Sequence, residues 1–456
     1  MGRFRLGAVG VFTLAALAGR ADAAEMTRVA SRGEPGNPFE LHVSLRWDRL
    51  QERAQITREE PGATPGTVVD GDELRYTRTL NTVVPRVAVA LAQDLEMHFE
   101  WPYVLGDDRE WRFGLKGAVP QGGVAGQPST IESNTIDADG EPRSDCVDLN
   151  GDGSPDSCAL FPVAPKTTIY HGGRAGDLKA GLAWGIFNDR KDPTKPFWLV
   201  GLDVTFPTAA RYDPGAGRGT DWSSPNDVPG HSGPFGEKIW KWDFYTVLSR
   251  RLGPIDPYVK AHATVMSESS STYSNCEHAA EFAALGQMNS AAPANCADSG
   301  WADDAGARLP WITGLTVGTE LVPWEDEAAQ QRIAIDVRLS GDYTSSQRFY
   351  NELTDASGRI HETGDYLTLG GFFGLYVRAS RYVFLHATAS LSTNTAHDLT
   401  GESLGRDGSW PGPTEVAANP SLMNPNFDWR YDAPGRRFRI SEVSLFRMSF
   451  GGTLRF

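Results

Sequence analysis

The chain has 456 residues, with 43 Lys and Arg against 58 Asp and Glu, and a formal net charge of −15 at pH 7. This acidic balance argues against nucleic acid as a partner, because binding to phosphates depends on a surplus of Lys and Arg. The mean hydropathy is −0.36, and beyond the N-terminus no apolar run approaches the roughly 20 residues of a helical membrane span. The sequence therefore excludes a helical membrane protein. It does not exclude a β-barrel, whose strands expose only alternate residues to lipid.

The N-terminus has the three parts of a secretory signal peptide, which we predict over residues 1–24. Arg3 and Arg5 supply a basic start, Leu6–Gly19 is an apolar run too short to span a bilayer, and Ala21–Ala23 is a small-residue cleavage site. We therefore expect export in a Gram-negative bacterium, to an oxidising compartment in which cysteines form disulfides.

Twelve later segments alternate apolar and polar residues with the period of two that is typical of β-strands. The predicted strands are 39–50, 74–91, 95–105, 174–187, 196–207, 238–251, 255–267, 310–322, 330–343, 364–378, 381–392 and 438–456. Short turns alternate with long loops at 51–73, 106–173, 208–237, 268–309, 344–363 and 393–437. Residues 39–456 are therefore predicted to form an all-β, transmembrane, antiparallel up-and-down β-barrel of about twelve strands, with long outer loops and short periplasmic turns.

Residues 110–119 form a further segment with strand-like alternation. If this segment crossed the membrane, every later loop and turn would be assigned to the opposite side of the membrane. We therefore interpret it as part of a folded outer loop.

The predicted registers turn charged residues of both signs into the lumen. The expected lumen residues are Glu40, Arg46, Asp48, Arg86, Glu96, His98, Glu100, Lys179, Asp203, Lys241, Asp243, Lys260, Arg332, Asp336, Arg338, Arg439, Arg447 and Arg455. This mixture favours a salt-bridge lattice that braces the wall over a permeation ladder, although a constriction lined by both signs can also select solutes. A metal site at Glu96, His98 and Glu100 is the less favoured alternative to a plain polar face.

Two predicted strands present small residues to the lumen: Gly181, Ala183 and Gly185 on one, and Gly370 and Gly374 on the other. Such a face leaves space for another part of the chain, since the interiors of transport barrels are often plugged. We expect residues 25–38, an N-terminal periplasmic or lumen-plug segment, or an infolded outer loop to pack there.

The segment 137–158 contains a loop of the calcium-binding type between Cys146 and Cys158. The candidate ligands, at loop positions 1, 3, 5, 7 and 9, are Asp148, Asn150, Asp152, Ser154 and Asp156. Ala159 stands where an EF-hand has its bidentate Glu, so the pattern is closer to extracellular calcium repeats. We predict a structural Ca²⁺, with a solvated acidic loop as the alternative.

Four cysteines in an exported chain indicate two disulfides. Adjacent pairing would join Cys146 to Cys158 and Cys276 to Cys296, although four cysteines allow three connectivities. Each bond would then clip one outer loop.

The last strand ends on an aromatic residue with no polar tail. Phe450, Leu454 and Phe456 share its apolar face, and Arg447 and Arg455 lie on the other. The ending resembles the C-terminal recognition signal of outer-membrane β-barrels. This resemblance implies location in the bacterial outer membrane, with the barrel assembly machinery, membrane lipid and lipopolysaccharide as partners.

Residues 171–208 contain Gly-Arg-Ala-Gly-Asp-Leu-Lys-Ala-Gly-Leu, and later a strand that closes in Pro207-Thr208-Ala209. The segment resembles the phenol-degradation meta-pathway transporter-like barrels, which carry a similar Gly-x-Gly-Asp strand and then a strand ending in Pro-Thr-Gly. The resemblance implies passage of small, often hydrophobic, compounds across the outer membrane. It transfers no functional residue.

The leading functional hypothesis is an outer-membrane channel or passive transporter for small solutes, with a loop-gated mouth. A structural or adhesive barrel with calcium-stiffened loops is the alternative. A lipid-modifying enzyme is less favoured, because it would need a serine and histidine near the lipid-facing wall, whereas every histidine falls in the lumen or in a loop. We therefore expect no catalytic residue.

Overall fold

The computed structural model describes residues 25–32, 39–61, 64, 67–113, 168–189, 191–192, 194–215, 233–279, 294–296, 301, 304–428 and 432–456. The predicted signal peptide, the calcium-type loop with its five candidate ligands, and the Cys146–Cys158 pair lie outside these residues. Among the described residues, no helix is long and apolar enough to cross a bilayer.

Eighteen strands make up the β-structure of the described residues. In chain order they are β1 (Leu41–Pro61), β2 (Val68–Ala92), β3 (Leu95–Glu100), β4 (Tyr103–Phe113), β5 (Thr168–His171), β6 (Arg174–Ala175), β7 (Leu178–Phe187), β8 (Phe197–Phe206), β9 (Ile239–Ser249), β10 (Ile255–Glu268), β11 (Trp311–Asp326), β12 (Gln331–Thr344), β13 (Gln347–Phe349), β14 (His361–Thr363), β15 (Tyr366–Arg378), β16 (Val383–Asn394), β17 (His397–Asp398) and β18 (Phe438–Arg455). A short helix at Glu25–Thr27 precedes β1, and others lie between strands at Asn275–His278, Thr354–Ser357, Arg406–Gly408, Pro413–Ala418 and Pro420–Leu422.

The wall is a closed antiparallel barrel of twelve strands, as predicted. Its members are β1, β2, β3 with its continuation β4, β7, β8, β9, β10, β11, β12, β15, β16 and β18. The barrel closes at β1, where Val43 faces Val87 of β2 on one side and Leu454 of β18 on the other. Closure satisfies the backbone groups of both edge strands, which is a requirement inside a bilayer.

The periplasmic turns are short, as predicted. Asp94 and Gln330 adopt left-handed backbone conformations with φ of 54° and 53°, and Gly253 does so with φ of 65°. Tight hairpins favour positive φ because its twist matches that of the flanking strands.

The predicted loop 51–73 is wrong, because most of it is strand. The hairpin of β1 and β2 continues to a pairing of Pro61 with Val68. Strand β4 follows the same extension, with Phe113 opposite Leu74. Residues 110–113 thus lengthen the third barrel strand beyond the membrane and add no crossing, so the predicted parity of the later strands is retained.

Alternate residues give the barrel an apolar outer surface. Leu45 is 58% exposed, Leu339 71% and Phe456 62%. Their neighbours Arg332 and Asp336 on β12 are buried on the opposite face. The predicted division into lipid-facing and lumen-facing sides therefore holds.

The outer end carries a folded structure that we call the outer cap, comprising residues 345–363 and 395–428. Its hydrophobic core is shared with the extended parts of the wall, and includes Ile56, Leu74, Tyr76, Trp111, Leu353, Ala356, Leu399, Phe438 and Ile440. A disulfide joins Cys276 to Cys296 at a Cα separation of 5.5 Å. The cap is therefore a packed structure and not a set of separate loops.

Candidate functional site: the barrel lumen

Lumen residues from β2, β3, β7 and β8 form one continuous network. The Arg86 guanidinium donates to Glu96 at 2.5 Å and lies 3.2 Å from Glu100. His98 Nε2 lies 3.0 Å from Asp203 Oδ1, and Lys179 Nζ lies 2.6 Å from the other oxygen of Asp203. Each contact joins neighbouring or next-neighbouring strands, so the network lies along the wall.

The small residue Gly181 has a specific place in this network. A Cβ atom added at Gly181 would collide with the side chains of Asp203 and His98. The bare patch on β7 is thus partly filled by this pair, which crosses over the glycine.

A second network covers the opposite wall. The Tyr258 hydroxyl donates to Asp336 at 2.6 Å, and Arg338 lies 2.7 Å from the same carboxylate. The Arg338 guanidinium also stacks at 3.5 Å from the centre of the Phe372 ring. Closer to the periplasm, buried Arg332 and Glu320 form an ion pair.

Other predicted lumen residues have separate partners. Arg46 pairs with Asp48 at 2.9 Å on the same strand. Lys241 pairs with Glu237 at 2.8 Å, and Asp243 accepts a hydrogen bond from Thr264 at 2.9 Å. Thr264 lies opposite Asp243 on a strand that the sequence predicts. Strand register alone could therefore have identified it as the partner of Asp243.

The prediction for Arg439 is wrong. Glu442 adopts a positive φ of 53° at an irregularity of β18, where the pairing with β1 shifts. Beyond it, Phe438 and Ile440 are buried in the core and Arg439 is exposed. Arg447, on the regular part of the strand, is exposed on the face that it shares with Ser449 and Arg455.

The N-terminal segment, residues 25–32, lies against the inner face of the barrel near its periplasmic end. The backbone N–H of Ala30 donates to Glu96 at 2.7 Å, and that of Ser31 donates to Glu40 at 3.0 Å. The N–H of Asp94 donates to Ser31 Oγ at 3.1 Å. Two lumen carboxylates and a periplasmic turn thus hold the segment.

The same segment reaches both sides of the barrel. Met26 and Val29 pack on a cluster that includes Leu199 of β8 and Val247 of β9. The Arg28 guanidinium lies 4.8 Å from the centre of the Phe384 ring on β16. Because β9 and β16 are the sixth and eleventh of twelve wall strands, the segment crosses the lumen.

The outer cap is joined to the wall by a buried network centred on Asp355. Arg109 donates to Asp355 at 2.7 Å, His171 Nε2 lies at 3.2 Å, and the Tyr212 hydroxyl donates to the same carboxylate. Burial opposes ionisation of this group, but Arg109 and His171 outweigh it and hold the pKa of Asp355 well below its usual value. Sequence reasoning missed this network, because its members come from three separate predicted loops, 106–173, 208–237 and 344–363.

A second buried acid of the outer end behaves oppositely. Burial raises the pKa of Asp432 to about 8, and the nearby Glu402 carboxylate adds to the rise. Asp432 accepts backbone hydrogen bonds from Gly401 at 3.0 Å and Glu402 at 3.1 Å. It therefore ties the loop at 401 to the loop at 432.

The wall is interrupted between β16 and β18 at the outer side of the apolar belt. Pairing ends at Ser392 with Leu445 and resumes at His397 with Ile440. A depression of about 690 Å³ lies at this place, lined mainly by apolar groups such as Leu391.

Among the described residues, no group of three or more His, Cys, Asp or Glu side chains is arranged to hold a metal ion. The three residues of the alternative metal site each contact another partner. Glu96 and Glu100 contact Arg86, and His98 contacts Asp203.

Fold and lumen together define a transmembrane β-barrel with charged inner walls. No protein-family model matches the sequence, and no curated protein matches it. Solved structures are similar in fold. An outer-membrane channel from Pseudomonas putida F1 is 10% identical with a TM-score of 0.41, over 93% of this chain and 100% of that chain.

Two further structures illustrate the range of similar barrels. A FadL homologue from Pseudomonas aeruginosa is 7% identical with a TM-score of 0.30, over 92% of this chain and 90% of that one. The outer membrane protease OmpT of Escherichia coli is 6% identical with a TM-score of 0.26, over 92% and 98%. Channels and a protease both occur among these structures.

Proposed function

We propose that this chain is an outer-membrane channel or passive transporter for small solutes, hydrophobic compounds included. The main support for this proposal is that the ion pairs of the lumen lie along the wall, while separate elements close the two ends of the barrel. Wall pairs such as Arg86 with Glu96 brace the barrel without bridging its axis. The N-terminal segment and the outer cap then act as the inner and outer gates.

The interruption between β16 and β18 supports the inclusion of hydrophobic solutes. Its apolar depression adjoins lipid-facing leucines, among them Leu339 and Leu391. An apolar compound that moves from this depression into the adjoining lipid stays in apolar surroundings. It therefore avoids most of the free-energy cost of exposure to water.

Reconstitution in planar lipid bilayers tests the proposal. Discrete conductance steps, enlarged by variants that loosen the N-terminal segment, are expected. Electrical silence of a correctly folded barrel in all variants would contradict a channel, and silence together with lipid hydrolysis would favour an enzyme. A matched control is Arg112→Gln, which alters an exposed ion pair with Glu110 far from the lumen.

The sequence motif at 137–158 supports a second proposal, that Asp148, Asn150, Asp152, Ser154 and Asp156 hold a structural Ca²⁺ in an outer loop. Carboxylate, amide and carbonyl oxygens at this spacing suit calcium. Melting with and without a chelator tests it. For the wild type, we expect a lower melting temperature in the presence of chelator. For the double variant Asp148→Ala with Asp152→Ala, we expect no difference. Identical wild-type melting curves with and without chelator would contradict the calcium site.

The C-terminal strand supports placement in the bacterial outer membrane by the assembly machinery. Phe456 is exposed at the end of β18 and lies on its lipid-facing side with Phe450 and Leu454. Replacing Phe456 with Ser is expected to lower the assembled fraction, as read from heat-modifiable mobility in gels, and an unchanged fraction would contradict the proposal.

A further inference from the structure

On the outward surface of β1, apolar side chains give way to polar ones at a sharp boundary. Val43 and Leu45 are exposed to lipid, and Trp47 stacks on Phe450 of β18 with ring centres 5.9 Å apart. Arg49 is the next residue on the same face, because strand side chains alternate with a period of two. The apolar belt of this strand therefore ends at Trp47 on its outer side.

Beyond this boundary, β1 and β2 carry a surface of polar side chains that we call the outer polar band. It comprises Arg49, Gln51 and Arg53 of β1 and their partners Asn81, Thr79 and Thr77 of β2. Directly opposed residues of antiparallel strands share a face, so all six side chains point away from the lumen. Ala54 and Ile56, on the other face of β1, are buried in the core shared with the cap. The band therefore lies on the outside of the barrel, where the lipid belt ends.

The two arginines of the band, Arg49 and Arg53, have no carboxylate partner among the described residues. The Nε atom of Arg49 is buried and makes no hydrogen bond within this part of the chain. Two acids at the upper edge of the band, Asp72 and Glu442, instead contact Arg75, at 2.9 and 4.0 Å. The positive charge of Arg49 and Arg53 is thus left for a ligand.

The neighbouring strand β4 extends the polar surface but does not neutralise these arginines. Glu110 pairs with Arg112 of the same strand at 2.7 Å. Asp108 lies opposite Thr79 of β2 and is therefore two strands away from β1, a separation of about 10 Å. The uncompensated positive charge is concentrated on β1.

The outer edge of the apolar belt is built differently on another part of the wall. At the ends of β11 and β12, Trp311 and Tyr343 contact each other with ring centres 5.1 Å apart. Tyr343 lies opposite Thr313 and so shares the outward face with Trp311. Aromatic residues of this kind are typical of any bilayer interface. Arginines in their place on β1 indicate contact with a specific, negatively charged component of the membrane.

We propose that the outer polar band binds the phosphorylated sugar headgroup of lipopolysaccharide, with the acyl chains of this lipid against the apolar belt below. A guanidinium matches a phosphate through paired, charge-assisted hydrogen bonds. Gln51, Thr79 and Asn81 offer donors and acceptors to sugar hydroxyls. A free anion would not use the belt, and an uncharged lipid would not use the arginines. The inference rests on the proposed location in the outer membrane and does not depend on conduction.

Titration of the full, detergent-solubilised protein with diphosphorylated lipid A, with bound lipid counted by native mass spectrometry, tests the site. The same lipid without its phosphates and inorganic phosphate serve as comparison ligands. We expect the phosphorylated lipid to bind at least about tenfold more tightly than the dephosphorylated one, the factor that one charge-assisted hydrogen bond supplies. Equal binding of both lipids would show that apolar contact alone holds the lipid. Displacement by equimolar inorganic phosphate would show a site for free anions. Either result would overturn the proposal.

Variants locate the site. Arg49→Gln and Arg53→Gln are each expected to weaken binding of the phosphorylated lipid about tenfold. Arg49→Lys and Arg53→Lys are expected to retain most of it, because an ammonium group still binds phosphate. The matched control is Arg46→Gln, which changes an arginine on the lumen side of the same strand. Heat-modifiable mobility in gels checks that each variant is folded.

Unchanged affinity in both glutamine variants, or an equal loss in the control, would contradict the assignment. If a glutamine variant does not fold, a loss of affinity in the folded lysine variants as large as that expected for glutamine would also contradict it. A barrel that conducts but binds both lipids equally would overturn the site and leave the channel.

Discussion

The two ends of the barrel are closed by different means. At the periplasmic end, the N-terminal segment donates single backbone hydrogen bonds to Glu96 and Glu40 and packs Met26 and Val29 on the wall. At the outer end, the cap has a hydrophobic core and buried ion pairs such as Arg109 with Asp355. We expect the inner closure to detach without unfolding of the barrel, whereas opening of the outer closure would require its core to unpack. A gate that opens often is therefore expected at the inner end.

The largest effect is expected from Asp355→Ala. The substitution removes the carboxylate that buried His171 contacts and one of the two that Arg109 contacts, while Asp107 at 2.7 Å remains with Arg109. Breaking a buried ion pair costs up to about 3–5 kcal/mol. The cap should become sensitive to added protease while the barrel remains folded. Protease resistance equal to that of the wild type would show that the apolar core alone holds the cap. Asp365→Ala, which removes a hydrogen bond to exposed Tyr343, is the matched control.

A smaller effect is expected from Glu96→Gln. The amide cannot neutralise Arg86, and one of its two ends no longer accepts from Arg86 or from the Ala30 backbone. Hydrogen bonds to charged groups contribute about 1.5–3 kcal/mol each, so the N-terminal segment should detach more often.

Bursts of higher conductance in single-channel records would report this detachment. Glu100→Gln, which also touches Arg86 but has no bond to the segment among the contacts described, should keep the conductance of the wild type. Identical records for both variants would mean that Glu96 does not hold the gate.

The cap should also respond to pH through Asp432. Its folded pKa of about 8 lies above the usual value of 3.8, so the protonated form is favoured by folding. This contribution is complete below about pH 4 and is lost as the pH rises through 8. Hydrogen exchange of residues 401–404 should therefore quicken between pH 6 and 9, after correction for the intrinsic rate. Asp432→Asn should remove the dependence, and an unchanged dependence would assign it to another group.

The smallest effect is expected from Arg46→Gln. Arg46 pairs with Asp48 on the same strand, and its side chain is 38% exposed to lumen water. Pairs of this kind contribute at most about 1 kcal/mol. Thermal stability should change little, and a large fall would show that the pair carries more of the bracing than its exposure suggests.

The sequence predicts the membrane part of this fold well for a physical reason. Lipid on one side and water or charge on the other force a strict period of two, as at Val337 and Asp336 on β12. Above the membrane this constraint ends, so the sequence predicts a loop at 51–73 where the structure has an extended hairpin. The irregularity at Glu442 is equally hidden, because a single extra residue reverses the faces that follow.

The residues of the lumen site can be predicted from the sequence to a similar extent. Residues on regular strands, such as Arg86 and Glu96, are found from register alone. The pairing of Arg109 with Asp355 joins positions 246 residues apart, and only the folded cap brings them together. Local sequence patterns do not indicate contacts between residues so far apart in the chain.

The central claim, that residues 25–32 are the movable inner closure of a channel, is tested most directly by single-channel conductance. One variant lacks residues 27–32, and a second replaces them with a Gly and Ser sequence of equal length. Both keep the residues around the cleavage site. The account predicts a severalfold larger conductance for the deletion and an intermediate, noisier level for the replacement. Conductances equal to that of the wild type in both variants would contradict it.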